Sequence, residues 1–166
     1  MIHADVSKTL ESLKKAHAEI VKRLENMVAG FAYEFVLALG NETPVGDDAS
    51  IAIAGKYRNF YDTRQREFGI PMEAGYHAGS WQFSSDGNLQ FTTMIVPVEG
   101  AANDAFNEAQ AKYRLGQTFY IGANTPGMAD LEGNSSKQTN GDSISRPAID
   151  KLMAIHRIKL SDYYKQ

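Results

Sequence analysis

Cysteine is absent from the 166 residues, which removes disulfide scaffolds, thiolate-held zinc or iron–sulfur sites and cysteine nucleophiles. Net positive charge is missing as well: 17 Lys and Arg stand against 20 Asp and Glu, a formal charge of −3. A protein that grips nucleic acid over its whole surface by neutralising phosphates is therefore excluded, whereas a local basic patch is not. No apolar run approaches the roughly 20 residues of a bilayer crossing. The most apolar stretch, 29–39, contains Glu34, and the start, Met1-Ile2-His3-Ala4-Asp5, lacks the basic opening and apolar run of a signal peptide. A soluble protein that does not engage membranes is expected.

Recognisable reaction chemistry is equally scarce. The four histidines, at 3, 17, 77 and 156, fall in separate segments without the one-turn spacing of helical metal sites. None of the 14 glycines has the spacing of a phosphate loop or dinucleotide fingerprint. His77-Ala78-Gly79-Ser80 is the only string that suggests a serine hydrolase. It is not a glycine-flanked nucleophile elbow, and it enters a strand instead of leaving one for a helix. No metal, cofactor or catalytic residue is assigned, and the expectation is a protein that is not an enzyme.

What is present is pattern. Apolar residues recur at Val6, Leu10, Leu13, Ile20, Leu24, Met27, Phe31, Phe35 and Leu39, with His17 in the one gap and charged residues on the other faces. The steps of three and four predict one long helix with a heptad-like seam, closed by Gly40 and Pro44. Such a helix is longer than a small core covers, so the stripe either lies across the chain's own sheet or packs in part on a neighbouring subunit. From Gly79 the period changes to two. Trp81 and Phe83, the turn Ser85-Asp86-Gly87-Asn88, then Leu89, Phe91, Thr93 and Ile95 predict a β-hairpin, with Trp81 as a core anchor under the long helix. A helix over 102–114, a strand over 117–122, a polar loop over 123–145 and a terminal helix opened by Pro147 complete the pattern. The expectation is a single α+β domain over 1–166: a long N-terminal helix and a C-terminal helix on a small antiparallel sheet.

Charge divides the chain further, since residues 41–76 sum to −2, 77–142 to −4 and 143–166 to +3. Within the glycine-rich excursion at 48–77 lies a basic and aromatic cluster that includes Lys56, Tyr57, Arg58, Tyr61, Arg64 and Arg66. It suits contact with a protein partner or with DNA, or aromatics packed within the loop and arginines paired to Asp62 and Glu67.

Three blocks in order resemble the neck and tail-completion proteins of tailed bacteriophages, also described as minor tail or head–tail joining proteins. The long helix runs into Thr43-Pro44-Val45-Gly46-Asp47, similar to that family's Thr-Pro-Val-Asp-Thr-Gly motif. Ala78-Gly79-Ser80-Trp81-Gln82-Phe83 resembles its Ser-Trp strand start. Phe119 to Pro126, with Asn124 and Pro126 in the turn, followed by Leu131, Glu132, Gly133, Ser135, Ser136, Lys137 and Gln138, resembles its strand, Asn-x-Pro turn and Leu-Glu-x-Gly-x-Ser-x-Gln loop. Here about thirty residues, Asp48 to His77, separate the first two blocks, which nearly adjoin in the family.

The resemblance implies a structural virion protein, assembled in the host cytoplasm, that forms a homo-oligomeric ring, commonly sixfold. Its neighbours would be the head-closure or connector proteins and the tail terminator or tail tube, with DNA passing through the channel without specific binding. Contact residues would be Glu132, Gly133, Ser135, Lys137 and Gln138, while Thr43, Pro44, Gly79, Ser80, Trp81, Asn124 and Pro126 form the structural motif. A tail terminator capping the tail tube, or a DNA-binding packaging accessory using Lys56, Arg58, Arg64 and Arg66, are the alternatives.

Overall fold

In a computed structural model, the structure describes residues 6–45, 75–125, 128 and 144–155. The chain is α+β, as expected: α1 (Val6–Glu42), a short 3-10 turn (Ala78–Ser80), β1 (Gln82–Ser84), α2 (Val98–Lys112), β2 (Tyr120–Gly122) and α3 (Ser145–Ile155). Among the described residues, no helix is long and apolar enough to cross a membrane.

The central packing is helix on helix. α2 is the main neighbour of α1 and runs antiparallel to it. Gly40 meets Val98 at one end, and the Leu115 N–H donates to Glu25 at the other. The buried residues of α1 are Ala29, Ala32, Val36, Leu39 and Gly40, and those of α2 are Ala101, Ala102, Ala105 and Ala109. Small side chains let two helices approach closely, and interiors packed to crystal density leave little room for adjustment. A Cβ at Gly40 would lie 2.4 Å from a Val98 methyl and 2.8 Å from the Ala78 carbonyl oxygen. Gly40 therefore sits inside the helix as a close-approach point and does not end it. The helix stops at Glu42, where the Thr43 N–H and hydroxyl both donate to the Leu39 carbonyl, at 3.0 and 2.7 Å, ahead of Pro44.

The heptad stripe does not form the core. Val6, Leu10, Leu13, Ile20, Leu24, Met27 and Phe31 are exposed, and residues 6–20 are exposed without exception. At 100° per residue the stripe lies roughly 120° round the helix from the Ala29, Ala32 and Val36 face. Only at its C-terminal end does it join the body. Phe31 stacks on Phe35 and meets Phe119, whose ring centroid also lies 5.4 Å from Phe83 and 5.8 Å from Tyr113. Phe119 thus ties α1, β1, the end of α2 and the start of β2 into one aromatic cluster.

The hairpin does not form. β1 pairs antiparallel with β2, Phe83 opposite Ile121, and residues 89–97 contribute one bridge, Phe91 to Asn124. The reason is visible in side chains. Gln82 takes the place of a backbone partner, donating from Nε2 to the Gln90 carbonyl at 2.7 Å and accepting the Gln90 N–H at 2.9 Å. The Asp86 carboxylate accepts the Asn88 N–H and the Ser84 hydroxyl, closing a local turn in which Gly87 holds φ +83°. That turn bends the chain without setting two strands side by side.

The strand at 117–122 shortens to β2, with Phe119 and Ile121 half-buried and Thr118 and Tyr120 exposed, the predicted alternation. α2 begins four residues ahead of its predicted start, directly after Pro97. Pro147 is the third residue of α3, whose Lys151 pairs with Glu42 at the end of α1.

Candidate functional site

The three sequence blocks, each 30 or more residues from the next, meet at one hydrogen-bonded junction beside the C-terminal end of α1. Its centre is Trp81, which is 5% exposed and donates from Nε1 to Thr43 Oγ1 at 2.8 Å. Thr43 is a relay, since the same oxygen carries the proton donated to the Leu39 carbonyl. Fully buried Ser80 donates to the His77 carbonyl at 2.8 Å and lies 3.5 Å from Thr125 Oγ1. Thr125 in turn lies 3.2 Å from His77 Nδ1. Block one supplies Thr43, block two Ser80 and Trp81, and block three Thr125. Among the described residues, no buried side-chain N or O atom lacks a partner, the condition under which a buried polar network specifies one geometry.

Backbone contact reinforces the junction. A Cβ at Gly79 would lie 1.7 Å from the Val96 carbonyl oxygen, so the 3-10 turn presses directly on the segment before α2 and only glycine fits. Asn124 donates from Nδ2 to the Leu89 carbonyl at 3.0 Å, fastening the turn that follows β2 in block three to the segment after the Asp86 turn. Tyr76 donates its hydroxyl to the Thr92 carbonyl.

Burial pushes the His77 imidazole below its ordinary value and the Tyr76 phenol above its own. Asp86, fully exposed, is held down at about 2, first by the Asn88 N–H and then by the Ser84 hydroxyl and the Asn88 side chain. Ser80 is not an exposed nucleophile, because its hydroxyl is engaged by the His77 carbonyl and Thr125. Among the described residues no three His, Asp or Glu side chains converge to hold a metal ion. Beside the junction, an apolar cavity of about 360 Å³ is lined by Phe35, Leu39, Trp81, Leu89, Ile121 and Met128, among others.

Of the expected structural residues, Thr43, Gly79, Ser80, Trp81 and Asn124 come together. Pro44 follows Thr43 at the helix end, and Pro126 lies outside the described residues. Outside them too are the expected contact residues Glu132, Gly133, Ser135, Lys137 and Gln138, and the basic and aromatic Lys56, Tyr57, Arg58, Tyr61, Arg64 and Arg66. In sequence, Thr43 and His77 lie on either side of 46–74, and Thr125 lies shortly before 129–143. Sequence reading missed Thr125, His77 and Gln82. Gln82 carried a faint signal, a polar residue between Trp81 and Phe83, whereas Thr125 and His77 become partners only through the fold.

Compared with known protein families, curated proteins and solved structures, the chain has no significant match.

Proposed function

We propose that the chain is a structural subunit of a tailed-phage neck, forming a ring that completes the tail and joins it to the head-closure complex. The observation that supports this reading is the convergence of the three resembling blocks on the Thr43, Trp81, Ser80 and Thr125 junction. Blocks that recur together in a family are expected to form a shared framework, and here they do so through buried, mutually satisfied side chains. In sequence the framework residues adjoin two long segments, and segments carried on a rigid scaffold are where contacts with partners concentrate. Ring interfaces are heterologous, one patch repeated against another, and the two segments 46–74 and 126–143 would supply them.

The test is in vitro joining. Particles assembled without this chain should accumulate as DNA-filled heads and separate tails, and adding the purified protein should restore joined, infectious particles. Normal joined particles in its absence would refute the reading. If the purified chain instead binds DNA tightly in a salt-dependent manner, and loses that binding on neutralising Lys56, Arg58, Arg64 and Arg66, the packaging-accessory reading replaces it.

A further inference from the structure

Among the described residues, most of the α1 seam is left exposed. We infer that two copies of this chain pair through α1 over residues 6–31, seam to seam, as a two-stranded coiled coil. The steps between Val6, Leu10, Leu13, His17, Ile20, Leu24, Met27 and Phe31 alternate four and three without a break, placing Val6, Leu13, Ile20 and Met27 at d and Leu10, His17, Leu24 and Phe31 at a. Over more than three heptads, that repeat is the geometry by which one helix receives the knobs of another.

Four observations select a second copy as the occupant. The seven apolar members are 38 to 74% exposed, so the described body covers none of them fully, although Phe31 also packs on Phe35 and Phe119. Residues 6–20 are exposed on all sides, so among the described residues no part of the body obstructs a partner helix, and a projecting helical segment of that length is marginal in water without one. Seven such side chains, burying on the order of 100 Å² apiece, would cover roughly 700 Å² per copy, close to the ~800 Å² each partner contributes to a standard stable interface. Finally, residues 6–31 carry five basic and three acidic side chains, none of them at an a or d position, so no Lys, Arg, Asp or Glu enters the seam itself. Over 6–20 the seam is narrow, its large apolar residues standing only at a and d, as suits two strands. His17 at an a position is the single polar residue of the kind that fixes register.

This pairing does not rest on the neck reading. Like seams meet isologously and close as pairs, whereas a ring needs heterologous contacts, so either can hold without the other.

The test is light scattering of the full chain across a dilution series, with a seam variant, Leu13→Glu with Ile20→Glu, and an outer-face control, Ser12→Glu with Lys15→Glu. Trp81 fluorescence, reporting the distant junction, verifies that each variant is folded. The expected result is a wild-type mass of twice 18.3 kDa or a multiple of that, halved or lower in the seam variant and unchanged in the control. A wild-type chain that scatters as a monomer throughout overturns the inference. So does an oligomer that the seam variant leaves intact, which would locate self-association elsewhere and leave the neck reading standing.

Discussion

Removing the hydroxyl of Thr43 isolates the bond that holds block one to block two. In Thr43→Val, the shape is kept and Trp81 Nε1–H, donating at 2.8 Å to a residue that is 2% exposed, is left buried without an acceptor. The Leu39 carbonyl keeps the backbone N–H of residue 43 at 3.0 Å, so the cost falls on the indole. An unsatisfied buried donor costs about 1–3 kcal/mol. For a chain of this length, a loss of about 2 kcal/mol lowers Tm by about 4–8 °C. Thr43→Ser keeps the acceptor, gives up one methyl and should cost about 1 kcal/mol. The decisive comparison is a double-mutant cycle followed by circular dichroism, because Trp81→Phe removes the donor itself. In the Trp81→Phe background, Thr43→Val should cost little, giving a coupling of about 1–2 kcal/mol. Costs that add to within about 0.5 kcal/mol, or a Thr43→Ser chain less stable than Thr43→Val, would refute the relay.

Gly79→Ala drives a methyl to 1.7 Å from the Val96 carbonyl oxygen, a backbone clash that no rotamer relieves; a loss above about 3 kcal/mol is expected in urea unfolding. Gly30→Ala, in the interior of α1 with nothing within 4 Å, should instead stabilise by about 0.5–1 kcal/mol. Phe119→Ala removes the ring shared by Phe31, Phe83 and Tyr113 and should cost about 3 kcal/mol in the same assay. Burial lowers the His77 pKa from 6.5, so the unfolded chain takes up a proton there before the folded chain does. The stability due to His77 is complete above pH 6.5 and is lost as pH falls from 6.5 toward the folded-state value. His77→Gln should flatten that part of the stability profile, as read by thermal melts across the pH range.

The sequence made the fold class legible because α1, α2 and α3 are periodic over many residues and the Phe119 and Ile121 strand alternates cleanly. It left open whether the large-residue stripe of α1 lies inside or meets a neighbouring subunit. Hydropathy favours the large residues of the seam, yet the buried face is built from Ala29, Ala32 and Val36, whose value lies in how closely they let α2 approach. The Asp86-Gly87 turn was real and the hairpin was not, since a turn signal specifies a bend and not the pairing beyond it. At the junction, Trp81 and Gly79 could be read as an anchor and a backbone necessity. Thr43, which reads as a simple helix stop, is also the acceptor for Trp81, a role set by a partner 38 residues away that no local pattern encodes.

The most direct measurement of the central claim is the position of the chain in assembled particles. With a tag on this chain imaged by electron microscopy of purified tailed particles, the account predicts density confined to the boundary between head and tail, in a ring. A chain absent from purified particles, or carried along the tail or inside the head, would contradict it.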